Sequence, residues 1–221
     1  MPTGRGYALF PVFVVSVLLL LLLLPDMRQH KERIHMARIY LSPSTQEYNP
    51  YVIGGTDEET VMNNLADALV PYLDELGIAY DRNTPQMTAR TSIQQANASG
   101  PYDLYLALHS NAAPEQFAGM LRGPDIYYNP ADPESRRAAG LIADEFRRIY
   151  PDPALVDIRP ATNLGEVLRP DYPSVLVEVA YHDNPEDAMW ILQNYDAIAR
   201  ALTNAVQNFT GGTGKSLAYD A

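Results

Sequence analysis

Apolar positions recur along this chain in two rhythms, and their alternation predicts the fold. Short runs rich in β-branched and aromatic residues predict strands at 38–42, 78–82, 103–109, 125–128 and 174–180. Between them the spacing lengthens to three and four. Met62, Leu65, Leu69, Leu73 and Leu76 form one stripe of a helix predicted over 57–76, with Thr56 as its N-cap and Gly77 as its stop. A second helix is predicted over 133–150. Asp132 stands in the cap position, Pro133 at the first helical position, and Ala139, Ile142, Phe146 and Ile149 turn inward. A C-terminal helical pair begins at Pro185 behind Asn184 and continues through Ile198, Leu202, Val206 and Phe209. From Gly211 the chain is Gly-rich and polar, so 211–221 is expected to be a loose tail.

Strands alternating with helices predict an α/β fold, a single three-layer domain over 37–210 with a mainly parallel sheet flanked by helices. The runs at 103–109 and 174–180 are apolar almost throughout, as strands covered on both faces should be. A hydrophobic segment precedes this domain. Residues 7–24 carry no charge, and as a helix they would reach about 27 Å, close to the hydrocarbon thickness of a bilayer. No small-residue cleavage site follows, and Arg28, Lys31 and Arg33 come next, so 1–36 reads as an uncleaved anchor with a basic linker. That predicts a membrane-anchored or cell-envelope protein, although the basic flank by itself would hold the main domain on the cytoplasmic side. A start at Met36, directly ahead of the first strand, would instead leave a cytoplasmic domain.

Composition narrows the chemistry. There are no cysteines, which excludes disulfide scaffolds, thiolate zinc sites and cysteine nucleophiles. Formal net charge is -11, and residues 37–221 hold 12 basic against 25 acidic side chains. Such a surface repels phosphate backbones, so no nucleic-acid partner is expected.

In open α/β sheets, ligands bind beyond the carboxyl ends of the strands. His109 closes the run at 103–109, and His182 follows the run at 174–180; they are the two histidines of the domain. Glu178 is the one charge inside its apolar strand, where an ionised carboxylate needs a partner, a metal or a catalytic role. Glu58 and Glu59 fall in a helix's first turn, where the dipole favours acids, and Thr56 to Glu59 also fits a capping box.

The segment Asp103-Leu-Tyr-Leu-Ala-Leu-His109-Ser-Asn111-Ala resembles the His-bearing strand motif of the zinc-dependent N-acetylmuramoyl-L-alanine amidases. Pro173-Ser-Val-Leu-Val-Glu178-Val-Ala-Tyr181-His-Asp-Asn184 is similar to that family's glutamate motif, and Glu59-Thr-Val-Met-Asn63 to its helix start. The resemblance implies an α/β domain binding one Zn2+ through His, Glu and His, with a catalytic glutamate. It places His109 as the second His ligand, Glu59 as the Glu ligand and Glu178 as the acid/base; the helix stripe, with Glu58 seven residues before Leu65 and so facing the core more squarely, leaves Glu58 open as the ligand in place of Glu59. The family's first His has no counterpart: Thr45 stands there, within Ser42-Pro43-Ser44-Thr45-Gln46. His182 is the candidate replacement ligand. The implied activity is hydrolysis of the amide between N-acetylmuramic acid and L-alanine in peptidoglycan, with a muropeptide as substrate. Without the first His, the alternative is a metal-poor domain that binds cell-wall glycopeptide without turnover.

Overall fold

The computed structural model describes Met1 and residues 36–212 and 216–219. The apolar segment at 7–24 and its basic flank lie outside the described residues. Among the described residues no helix is long and apolar enough to cross a membrane.

Six strands form one sheet: β1 (Arg38–Pro43), β2 (Ala79–Arg82), β3 (Leu104–Asn111), β4 (Asp125–Tyr128), β5 (Asp157–Pro160) and β6 (Ser174–Tyr181), in the order β2-β1-β3-β6-β4-β5. β2, β1, β3 and β6 run parallel, and β4 meets β6 antiparallel with β5 parallel to β4. The sheet is therefore mixed. The antiparallel step has a consequence for the site, since it sets the first residue of β4, Asp125, opposite Glu178.

Among the described residues six α-helices cover the sheet: α1 (Glu58–Glu75), α2 (Ala89–Ser99), α3 (Pro133–Ile149), α4 (Gly165–Leu168), α5 (Pro185–Gln193) and α6 (Tyr195–Phe209). α1 buries Met62, Leu65, Leu69 and Leu73 of the predicted stripe, while Leu76 is its C-cap and only partly buried. Its cap is Asp57, whose carboxylate accepts from the Thr60 N–H at 2.8 Å, and not Thr56. The Thr56 carbonyl instead accepts from the Tyr51 N–H in a turn, which leaves the next residue to cap. Asp132 and Asn184 cap α3 and α5 as predicted, each followed by proline at the first helical position.

Strand alternation sorts the core into two layers. Ile39, Leu41, Leu104, Leu106, Leu108, Val175 and Val177 join α1, α3 and α6 in the larger cluster. Tyr40, Tyr105, Ala107 and Leu176 face the other way, against Ile93 and Ala96 of α2 and Val167 of α4. By the same period of two, Ser42, His109 and Glu178 emerge on this second, thinner face. The C-terminal segment, expected to be loose, is tied down at 216–219. Leu217 is buried and exchanges backbone bonds of 2.7 and 3.0 Å with the Asn204 side chain, and Arg200 reaches the Ala218 carbonyl at 2.9 Å.

Candidate active site

His109 and Glu178 are neighbours by register, directly paired across β3 and β6. Both reach a cleft of about 520 Å³, which Ser44, Thr45, Gln46, Asn83, Arg90 and Glu166 also line. That volume lies within the range of small-molecule sites.

The His109 ring is held at both nitrogens. Glu58 Oε1 lies 2.9 Å from Nδ1, and Glu166 Oε2 lies 2.9 Å from Nε2. All three residues are buried. Burial alone would lower the imidazole's pKa, but hydrogen bonds and charge from Glu166 and Glu58 outweigh it and hold His109 well above the ordinary histidine range. For both carboxylates burial opposes ionisation, yet the His109 contacts leave them below the ordinary glutamate value. Each acid has further donors. Asn49 Nδ2 gives Glu58 a bond of 2.7 Å. Ser42 Oγ and Tyr105 Oη give Glu166 bonds of 2.7 and 2.8 Å.

Glu178 lacks such support. Its Oε2 is out of solvent and has no hydrogen-bond partner. Burial pushes its carboxyl up to about 7, with Glu58, Asp125 and Glu166 adding repulsion that His109 only partly offsets. Asp125, the acid opposite in β4, is itself paired with Arg159 at 2.7 Å.

Of the two neighbouring glutamates in α1, Glu58 is the one that meets His109. It lies four and seven residues before Met62 and Leu65 on the buried stripe, whereas Glu59 stands partly in solvent beside Glu47 and Asp57. His182 is buried, with Nδ1 bonded to the Ser110 carbonyl at 2.9 Å and close to Ser110 Oγ at 3.0 Å, and its ring stacks on Tyr51. The structure thus brings His109 and Glu178 together, adds Glu58, and gives Glu59 and His182 other surroundings. Glu166 escaped the sequence reading altogether. Its one signal there is an acid between Leu164 and Val167, a pattern shared by many surface helices.

A zinc centre of the imidazole–carboxylate–imidazole type needs three donors around one point. His109 Nδ1 and Glu58 Oε1 lie close enough to share an ion. The third position fails. Thr45 has no imidazole, and Gln46 turns its amide nitrogen to within 3.2 Å of Nδ1. The Gln46 oxygen is taken by Tyr48 Oη at 3.0 Å and Asn49 Nδ2 at 3.1 Å. Glu166 sits at the opposite edge of the ring and cannot complete the set. Among the described residues no three or more His, Cys, Asp or Glu side chains are grouped to hold a metal ion.

Comparisons with known proteins agree on one family. The N-acetylmuramoyl-L-alanine amidase family model matches residues 39–208. The fold is similar to that of the amidase AmiC2 of Nostoc punctiforme, with a TM-score of 0.69 at 15% identity over 80% of this chain and 98% of that one. It is also similar to an N-acetylmuramoyl-L-alanine amidase from Clostridium difficile 630, with a TM-score of 0.70 at 15% identity over 80% and 98%. The catalytic domain of CwlV from Bacillus (Paenibacillus) polymyxa var. colistinus gives a TM-score of 0.70 at 14% identity over 80% and 100%. No curated protein matches by sequence. With the family model spanning both strands that carry His109 and Glu178, this chain belongs to the N-acetylmuramoyl-L-alanine amidase family.

Proposed function

We propose that the domain hydrolyses the amide joining N-acetylmuramic acid to the L-alanine of a peptidoglycan stem, with Glu178 as the group that takes and returns the proton. One observation carries this: a half-buried carboxylate whose inner oxygen has no donor, pushed up to about 7, at the cleft beside His109. A carboxyl near the working pH can exist in either form, which is what alternate base and acid roles require. Ionised, it accepts a proton from water as the water oxygen adds to the carbonyl carbon. Protonated, it hands that proton to the nitrogen as the carbon–nitrogen bond breaks. His109, fixed at both nitrogens, holds positive charge close to Glu178 and keeps its ring from turning.

The family resemblance implies zinc-activated water. The donor set here stops at Glu58 and His109, with Gln46 presenting the wrong end of its amide, so no step is routed through an ion. The same two facts, the doubly paired imidazole and Thr45 at the first ligand position, favour a second reading in which the cleft binds stem peptide without turnover. Incubation with purified muropeptides, followed by mass spectrometry, separates the two. Hydrolysis yields a free L-alanine amine and is lost in Glu178→Gln. Retention on insoluble cell wall without release, unchanged by Glu178→Gln, would establish the binding reading in its place.

A further inference from the structure

When water adds to an amide, negative charge gathers on the carbonyl oxygen, and a fixed N–H or O–H can meet it there. His109 has none to give, because Glu58 Oε1 and Glu166 Oε2 each lie 2.9 Å from one of its ring nitrogens. Asn83 Nδ2 donates to the Pro43 carbonyl at 3.0 Å and to Ser92 Oγ at 3.1 Å. Gln46, in the loop after β1, is placed differently, and a chain of one-way contacts sets its amide. The Glu58 carboxylate only accepts, so Asn49 turns its Nδ2 toward Glu58 Oε2, at 2.7 Å. That same Nδ2 reaches Gln46 Oε1 at 3.1 Å, and Tyr48 Oη donates to this oxygen at 3.0 Å. Gln46 Nε2 is thereby turned inward, to 3.2 Å from His109 Nδ1. The hydrogen between His109 and Glu58 sits on Nδ1, so two donors face each other and no hydrogen bond joins them. Among the described residues Nε2 has no other partner. Gln46 is half-buried and lines the same cleft as Glu178, which stands across β3 and β6 from His109. A held N–H donor facing another donor calls for an oxygen from the substrate.

We propose that Gln46 Nε2 is the donor that holds the carbonyl oxygen of the scissile amide as it gains negative charge. The inference rests on the hydrolytic reading above and adds the group that polarises the carbonyl. As the water oxygen bonds to carbon, its proton passes to Glu178, and the carbon–oxygen π pair moves onto the oxygen beside Nε2–H. On collapse the carbonyl re-forms, the carbon–nitrogen bond breaks, and Glu178 returns the proton to nitrogen. The end of the Gln46 amide that is wrong for a metal ion is the right one for an oxyanion.

The test is steady-state hydrolysis of a muramyl peptide by the full chain, Gln46→Ala and Gln46→Glu, each with and without a chelator. Gln46→Ala removes the donor from a half-buried loop side chain. Gln46→Glu keeps the shape and replaces the donor by an acceptor that His109 Nδ1–H can meet. Both are expected to lose about 10²–10³-fold in kcat with KM within about twofold, chelator or not, as for removal of one oxyanion donor. Should Gln46→Ala fail to fold, Gln46→Glu decides alone. A fall in kcat of less than about tenfold, or an effect confined to KM, would overturn the inference and leave the hydrolytic reading in place. So would loss of the unsubstituted chain's activity in chelator, since a metal would then polarise the carbonyl. If the unsubstituted chain hydrolyses nothing under either condition, the hydrolytic reading fails and takes this inference with it.

Discussion

Replacing Glu178 by Gln should stabilise the domain in alkaline buffer and do little in acid, because the native fold works against the carboxylate. The substitution keeps shape and removes charge. The carboxyl is raised from 4.5 to about 7 in the folded chain, with burial as the main cause. A folded-state pKa above the unfolded value contributes stability that is fully present below the unfolded pKa and lost as pH rises through the folded one. For Glu178 that loss spans about pH 4.5 to 7. At about 1.4 kcal/mol per unit it amounts to about 3 kcal/mol once complete. Glutamine does not titrate and escapes it. Urea unfolding of both proteins at pH 5 and pH 8 should show the Gln variant gaining about 2–3 kcal/mol relative to the unsubstituted chain between the two conditions. The same variant should lose hydrolysis, so stability and activity move in opposite directions. An unfolding difference that stays constant with pH would refute the assignment of Glu178 as a half-buried acid with an unsupported inner oxygen.

Glu166→Ala removes the shared acceptor of Ser42, Tyr105 and His109 and leaves a buried imidazolium half-paired, for an expected loss of about 3–5 kcal/mol in chemical denaturation. Glu58→Gln should disturb the His109 NMR titration strongly, while Glu59→Gln, with its carboxylate away from the ring, should leave that titration in place. Metal analysis should find well under one zinc per chain, rising in Thr45→His, which adds a second imidazole to the lining of the cleft that His109 reaches; full zinc loading of the unsubstituted chain would contradict the donor argument. Leu217→Ala should cost about 2 kcal/mol in thermal or urea unfolding, against none for a loose tail.

Elements with long, regular spacing were readable in the sequence. The α1 stripe, the Asp132-Pro133 and Asn184-Pro185 starts, and the apolar runs of β3 and β6 each repeat a pattern over many residues. β5 shows only four residues, mostly exposed at the sheet edge, and α2 buries just Ser92, Ile93 and Ala96. Neither presents enough periodicity to stand out. The reversed direction of β4 was also hidden, because strand alternation looks the same in parallel and antiparallel pairs. At the site, His109 and Glu178 were legible as polar residues at the ends of apolar strands. Glu166 was not, because Tyr105, His109 and Ser42 stand 61, 57 and 124 positions from it and only the sheet gathers them. Between Glu58 and Glu59 the sequence leaves the choice open, and the structure brings Glu58 to His109. The buried stripe points at Glu58, but the motif match favoured its neighbour.

Why the proton should settle on Glu178 follows from counting charges and donors together. Four acids surround the strand ends, Glu58, Glu166, Glu178 and Asp125, against two cations, His109 and Arg159. Ionising all four would leave an excess of two negative charges at the strand ends, so the acid with the weakest support protonates first. Glu58 has His109 and Asn49; Glu166 has His109, Ser42 and Tyr105; Asp125 has Arg159, Tyr181 and Asn111. Burial raises Asp125 as well, but its guanidinium partner pulls against that rise. Glu178 has an oxygen with nothing to meet. The deficit is built by topology. The antiparallel placement of β4 puts Asp125 against Glu178, and the parallel pairing of β3 with β6 puts His109 beside it while two other carboxylates claim both ring nitrogens. An acid with no donors of its own, surrounded by acids that have them, is left to exchange its proton with whatever enters the cleft.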